Sequence, residues 1–367
     1  MGSFVMYKDE PVIRINDDYC CIVMNYDHLP ISLKTNSVTY DDIYHGWVET
    51  RSLNVSRTNA KSILAGYRLS QTNKYLIAKY FHFASLSDCF WIKDDNETVQ
   101  WKDVSFFNNP FNEEVSETAL TGRQKLFTQK MLSPEIATLG VAAKTWVWQN
   151  DKLFLFKVGK AELAASKILD VLEIPHVRYE EASIEELGTI AKGTEWIDKI
   201  NQAGEKIVKC ECMTNEKLSI CTWEDFRVFC AYHDKDEFEA LKPYSEAVDQ
   251  MNIVDYVLGN SDRHEGNWGF FVDNESGELL GTHPLMDFDH AFSNGELLCQ
   301  PFDSEISLKK AAMEGISRVY VPVERIQDMN RPESITENQW KGVLSRVNDL
   351  ISAHDSVPRS TFSVWDI

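Results

Sequence analysis

A helical run that passes through a polar loop into an apolar hairpin limits what this chain can fold into. From Ser245 to Leu258 the apolar residues Val248, Met251, Ile253, Val254 and Val257 recur at helical spacing. The loop Asn260-Ser261-Asp262-Arg263-His264-Glu265-Gly266-Asn267 follows directly. Two further apolar runs, 268–272 and 279–285, flank Asn274-Glu275-Ser276-Gly277, which reads as a hairpin. A hairpin returns the chain to its starting end. Asp287, twenty residues after Asn267, is therefore expected beside the loop that carries Asp262.

The rest of the chain sets the fold class. Phe4 to Tyr7 and Pro11 to Ile15 flank the turn-like Lys8-Asp9-Glu10, with Cys20 to Met24 and Pro30 to Leu33 as further short strands. Residues 56–90 read as two helices, one through Ile63, Leu64 and Tyr67 and one through Tyr75, Leu76 and Ala78, separated by Ser70-Gln71-Thr72-Asn73. A loose boundary falls near 125–130. Trp146 to Trp148 and Leu153 to Lys157 form a hairpin around Gln149-Asn150-Asp151. Ala161 to Leu172 reads as a helix, Ile207 to Met213 as a strand and Asn338 to Ser352 as a final helix. Strands first and helices later predict an α+β fold with a small β-rich N-terminal lobe and a helical C-terminal lobe. The expected division is an accessory β-rich lobe with a helical insert over 1–128, a lobe with the hairpin over 129–213, and a helical lobe over 214–367.

Charge and hydropathy remove several classes. With 43% hydrophobic residues among 367, the chain can build cores rather than stay disordered. A net charge of −20 repels phosphate backbones, so direct nucleic-acid binding is not expected. No apolar run reaches the length of a membrane span, and the first ten residues lack the pattern of a secretory signal. A cytoplasmic chain with reduced thiols is the expectation. Cys210 and Cys212 are the only closely spaced pair in the cluster with Cys221 and Cys230, and structural thiols are the plainer reading than a zinc site.

The loop carries the chemistry. Asp262 and Asn267 are five positions apart, the separation found between the base and the metal-binding asparagine in protein-kinase catalytic loops. The aspartate must reach the attacking hydroxyl and the asparagine a metal on the phosphates, so one loop fixes both. His264 stands between them as a third candidate catalytic residue. Asp287 in His283-Pro284-Leu285-Met286-Asp287-Phe288-Asp289 suits a magnesium ligand, and Asp289 either a second acidic contact or a helix cap. Such a triplet in a loop also occurs as a plain hydrogen-bonded turn; the hairpin and Asp287 together weigh against that. A serine hydrolase would need a Gly-x-Ser-x-Gly elbow, and none is present.

A phosphotransferase needs a nucleotide grip as well. Thr138-Leu139-Gly140-Val141-Ala142-Ala143-Lys144 is not a Walker A loop. Its backbone amides and Lys144 suit a loop that covers phosphates, although a plain strand connection is equally compatible. Lys157 closes the run Leu153-Phe154-Leu155-Phe156, where kinases place the lysine that holds the α- and β-phosphates. The bland alternative is a lysine whose stem lies on the core. Glu162 pairs with Lys157 or favours a helix N-terminus. Lys209 to Met213 is placed where a backbone strand meets adenine, through Glu211 and Met213.

On these residues the chain resembles the HipA-like kinases, a branch of the protein-kinase-like superfamily that shares features with phosphatidylinositol kinases. The likeness rests on Asn260 to Asn267, on Pro284-Leu285-Met286-Asp287, and on Gly140 to Lys144 before the hairpin ending at Lys157. It implies a two-lobed protein-kinase-like fold and transfer of the γ-phosphate of ATP, with Mg2+, to a serine or threonine hydroxyl of a protein substrate. Asp262 is then the base, Asn267 and Asp287 the magnesium ligands and Lys157 an ATP ligand. The family's toxins carry a regulatory serine in the phosphate loop; Ala137 stands near that place here, with Ser133 and Thr138 close by. The likeness also implies an antitoxin-like partner. A lipid or small-molecule kinase of the same superfamily, and a non-catalytic partner-binding protein with the kinase fold, are the alternatives.

Overall fold

The structure, a computed structural model, describes residues 2–69, 74–127, 132–191, 195–295, 297–299 and 302–356. Ser70-Gln71-Thr72-Asn73 lies outside the described residues, as does part of the boundary expected near 125–130. The chain divides into two compact units. One comprises Met1–Val158, Glu181–Cys221 and Phe271–Leu280; the other comprises Gly159–Glu180, Thr222–Phe270 and Gly281–Ile367.

The first unit starts with strands β1 (Ser3–Tyr7), β2 (Glu10–Ile15) and β3 (Cys21–Val23), joined later by β4 (Phe90–Asp94). They form an antiparallel sheet ordered β3-β2-β1-β4. The helices Ala60–Gly66 and Lys74–Lys79 bury Ile63, Leu64, Ile77 and Ala78 in one cluster with Val5, Ile13 and Trp91. Each fully buried leucine or isoleucine among them contributes roughly 1.5–3 kcal/mol of transfer free energy. Pro30 to Leu33 is not a strand. Pro30 cannot donate to a ladder, and its carbonyl accepts from Leu33 N at 2.9 Å, closing the single 3-10 turn Ile31–Leu33.

The second sheet holds β5 (Lys144–Gln149), β6 (Lys152–Val158), β7 (Glu180–Glu181) and β8 (Ile207–Glu211), in the order β5-β6-β8-β7. Asn150 and Asp151 turn the hairpin with φ of 50° and 60°, the left-handed pair that a two-residue turn requires. Register sets the faces. Lys144, Trp146 and Trp148 lie opposite Lys157, Leu155 and Leu153, so these six share one face. Phe156 on the other face is fully buried with Leu120, Leu187 and Ile207.

The second unit is helical: Lys160–Val171, Trp223–Tyr232, Ser245–Leu258, Leu308–Arg318 and Glu337–Ser356. Every residue from Met251 to Leu258 is buried, so the C-terminal half of the 245–258 helix is surrounded on all sides by the core that includes Ile168, Phe288, Ile316 and Val343. Its buried Asp249 is neutralised by Arg318 through two bonds of 2.8 and 2.6 Å. The Trp223–Tyr232 helix begins at Thr222, whose hydroxyl accepts from Asp225 N at 3.1 Å in a capping box. Three strands, β9 (Leu218–Thr222), β10 (Gly269–Asp273) and β11 (Leu279–Thr282), form a sheet ordered β11-β10-β9. The hairpin expected between Asn267 and Asp287 is therefore present.

Candidate active site

The loop at the end of the 245–258 helix is shaped by what stops that helix. Gly259 adopts φ 65°, and a side chain there would collide with the Ser293 carbonyl and the Arg346 guanidinium. Asn260 N then donates to Asp255 O at 2.9 Å, and its side-chain amide donates to Asp255 Oδ1 at 2.9 Å.

Asp255 is 1% exposed, and a carboxylate so buried needs a partner. Arg263 supplies it through Nε to Oδ2 at 2.9 Å and Nη2 to Oδ1 at 3.0 Å. The remaining arm, Nη1, donates to the carbonyls of Asn267 at 2.8 Å and Met286 at 2.5 Å. One guanidinium thus ties the helix, the loop and the segment just before Asp287 together. Its carbon also lies 4.9 Å from the Phe288 ring centre.

Around this bracket the expected residues take distinct places. The Asp262 carbonyl accepts from His264 N at 3.0 Å and from the Asn267 amide at 3.1 Å. With its nitrogen so used, Asn267 can offer only its oxygen to a cation. His264 is exposed, and its Nδ1 accepts from Gly266 N at 3.1 Å, so it caps the short turn Glu265–Asn267. Asp287 is half-buried with φ 59°, a left-handed conformation that costs a side-chain-bearing residue about 1 kcal/mol or more. The next amide, Phe288 N, donates to Glu162 Oε2 at 3.2 Å. Glu162, fully buried at the start of the 160–171 helix, therefore holds the Asp287–Phe288 turn.

The strand-like segment before Asp287 is anchored too. Leu285 N donates to Pro175 O at 3.0 Å and its carbonyl accepts from Val177 N at 2.8 Å. His283 is buried, with Nδ1 2.8 Å from the Pro284 carbonyl, which can only accept. Burial, with a smaller contribution from the Arg263 charge, pushes its pKa down to about 4, against an opposing effect of the carbonyl bond. Between about 4 and the ordinary 6.5 the unfolded chain holds a proton that the folded one lacks. Stability is then complete above pH 6.5 and falls as pH drops toward 4, by at most about 1.4 kcal/mol per unit. Urea midpoints from pH 4 to 7 should show this slope, and His283→Gln should flatten it.

Among the described residues, one group of ligating side chains converges closely enough to share an ion: Asp262, Asp289 and His290, whose ligand atoms lie within 4.8 Å of one another. Ser261 N and Oγ both donate to the His290 carbonyl, at 3.4 and 3.3 Å, joining the two loops. Two carboxylates, with the oxygen of Asn267 and the carboxylate of Asp287 in the same segments, suit a hard divalent cation such as Mg2+. The imidazole of His290 is a ligand more typical of transition metals such as zinc or iron than of Mg2+.

In the first unit, Lys144 and Lys157 are directly opposed across β5 and β6 and are 8% and 2% exposed. Like charges in opposed positions destabilise a sheet. Lys144 Nζ donates to Leu139 O at 2.9 Å, across Gly140, which has φ 85°. That left-handed backbone strains any residue with a side chain, so glycine is favoured at 140. Glu211 is exposed and paired with Lys152 at 2.8 Å, and Met213 is half-buried.

Asp255, the Arg263 bracket and His290 were not among the expected site residues. Asp255 had a signal, a lone acid inside Ile253-Val254-Asp255-Tyr256-Val257; an acid in so apolar a run demands a buried cation.

Residues 221–325 match the family model described as phosphatidylinositol 3- and 4-kinase, a span that contains Asp262, Asn267 and Asp287. HipA of Shewanella oneidensis, solved with HipB and operator DNA as a toxin–antitoxin system, is similar over 96% of this chain and 96% of its own, with a TM-score of 0.53 and 11% identity. The Helicobacter pylori proinflammatory kinase CtkA is similar over 58% of this chain and 93% of its own, with a TM-score of 0.40 and 16% identity. No curated protein matches the sequence.

The chain therefore has a protein-kinase-like, two-lobed α+β fold and a kinase-type domain. More particularly, its fold is HipA-like.

Proposed function

We propose that this chain is an ATP- and Mg2+-dependent phosphotransferase that phosphorylates a serine or threonine hydroxyl of a protein. The observation that carries the reading is the Arg263 bracket. It fixes Asn267, on the loop of Asp262, and Met286, next to Asp287, from one buried guanidinium. The Asp262 carboxylate takes the proton of the acceptor hydroxyl as its oxygen attacks the γ-phosphorus and ADP leaves. Asn267 and Asp287 hold the magnesium, with Asp289 as a further acidic contact. When bound, that ion neutralises phosphate charge. In the first unit, Lys144 and Lys157 are assigned to the phosphates, the 138–144 loop to covering them, and the backbone at Glu211 and Met213 to adenine. Residues 1–128 are assigned an accessory role.

The test is the melting temperature with Mg-ATP beside incorporation of label from γ-labelled ATP. Ligand that binds only the folded state must raise the midpoint. Asp287→Asn should weaken Mg-ATP binding about tenfold, removing about 1.4 kcal/mol of ligand stabilisation. Unchanged magnesium dependence in that variant would remove Asp287 from the metal site.

A second reading is favoured by one finding, the match of 221–325 to phosphatidylinositol kinases. A lipid kinase would label phosphatidylinositol vesicles and leave protein acceptors unlabelled. Among the described residues no helix is long and apolar enough to cross a membrane; we assign a cytoplasmic location. The HipA structure contains HipB and DNA, so a toxin-type role with an antitoxin-like partner is part of the proposal. Growth arrest on expression of the wild type, absent with Asp262→Asn, would support it.

A further inference from the structure

Among the described residues, the accessory segment makes one charged contact with both side chains fully buried, and it is with the segment that leads into the loop assigned to the nucleotide. Arg57 and Glu135 have side chains with no exposure at all, joined from Nη2 to Oε2 at 2.8 Å. The same guanidinium donates from Nη1 to the Glu135 carbonyl at 2.9 Å and the Thr138 carbonyl at 3.5 Å, and from Nη2 to the Lys144 carbonyl. The following residue adds a main-chain bond, Thr58 N to Val141 O at 2.8 Å. Both ends and the tip of the 135–144 segment are therefore held from residues 57 and 58.

Glu135 passes the restraint on to the lysine hairpin. Its Oε1 accepts from Thr145 Oγ1 and from Trp146 N, both at 2.9 Å. Trp146 Nε1 donates to Thr138 Oγ1 at 2.9 Å, which closes the loop on itself. Asn59 anchors the brace on its other side by donating to the carbonyls of Ala119 and Leu120 at 3.1 and 3.3 Å, at the end of the Glu113–Thr121 helix. Only the loop tip faces water: Leu139 and Val141 are 52% and 51% exposed on either side of Gly140. A buried arginine with four acceptors is a rigid clamp, because moving the loop would strand a charge away from water.

We propose that Arg57 is a positioning residue for nucleotide, which holds the 135–144 loop in one shape so that its amides and Lys144 are set before the phosphates arrive. The function of the accessory segment is then to preorganise the loop, which lowers the ordering cost of binding. This rests on the assignment of 138–144 to the phosphates.

The experiment uses the full chain with Arg57→Lys and Glu135→Gln. Lysine keeps the charge but cannot form the fork. Glutamine keeps an oxygen for Thr145 and Trp146 while weakening the link to Arg57, so it serves if the lysine variant does not fold. Amide hydrogen exchange without nucleotide should be at least about tenfold faster over 135–146 and unchanged over the 245–258 helix. The KM for ATP should rise about tenfold, with kcat within about twofold, since the loop acts on binding and not on the reacting atoms. Unchanged exchange over 135–146 in both variants would overturn the brace. Faster exchange with an unmoved KM would overturn its service to nucleotide. A wild type that neither binds nor turns over Mg-ATP would instead overturn the kinase reading, and the exchange arm would still decide the brace.

Discussion

Asp262→Asn should lower phosphoryl transfer by about 10²–10⁴-fold, the range that a positioned general base supplies. The substitution is clean because the bonds that shape the loop use the main chain at this position. The Asp262 carbonyl accepts from His264 N and from the Asn267 amide, and its N–H donates to Asn260 Oδ1 at 3.3 Å. None of these changes when the carboxylate becomes an amide of the same shape. The residue is half-buried, so no deep cavity or stranded charge follows. The melting temperature without ligand should stay within a degree or so of the wild type, and the rise given by Mg-ATP should persist. One effect accompanies the loss of the base: the carboxylate leaves the group it forms with Asp289 and His290, so the metal requirement should shift to higher concentration. Full activity in the variant would move the base elsewhere. Absence of transfer in both proteins, with no ligand-induced shift, would favour a partner-binding protein that kept the fold.

How much of this was legible in the sequence depended on the range of the interaction. Local periodicity and turn chemistry carried the two hairpins, the 160–171 and 245–258 helices and the final helix, because those signals lie within a few residues of one another. Pro30 to Leu33 misled, since a short apolar run does not reveal that its proline starts a turn. The strand Phe90–Asp94 was hidden for the opposite reason: its register is set by β1, more than eighty residues upstream, as in the pair Tyr7 and Phe90. In the site, the loop and Asp287 were readable from spacing and an intervening hairpin. Glu162 was read as a partner of Lys157 or a helix-end charge, and no local pattern announces that its carboxylate accepts from Phe288 N, 126 residues away. The same holds for Arg57 and Glu135, 78 residues apart, whose pairing is decided by tertiary packing alone.

Arg263→Met should be the most destabilising single change in the helical unit, at about 3–5 kcal/mol, the cost of leaving a buried charge without its partner. Asp255, 1% exposed inside the 245–258 helix, would keep only the bonds from Asn260. The carbonyls of Asn267 and Met286 would lose their donor as well. Asp255→Leu should be comparably harmful, stranding the guanidinium. The double variant Asp255→Leu, Arg263→Met should be markedly more stable than the sum of the two, with a coupling of about 2 kcal/mol or more, since an apolar pair of similar volume often replaces a buried ion pair at little cost. Urea unfolding of the four proteins measures that coupling. Activity separates holding the fold from holding the site. The double variant regains packing but has no donor for Asn267 and Met286, so it should fold and still transfer phosphate poorly. A stable double variant with wild-type kcat would show that the loop and the Asp287 segment find their places without the bracket. The neighbouring contacts would then bear the load: Phe288 N on Glu162, and Leu285 between Pro175 and Val177. A stable but inactive one would make Arg263 the residue through which the helix core sets the distance between Asn267 and Asp287.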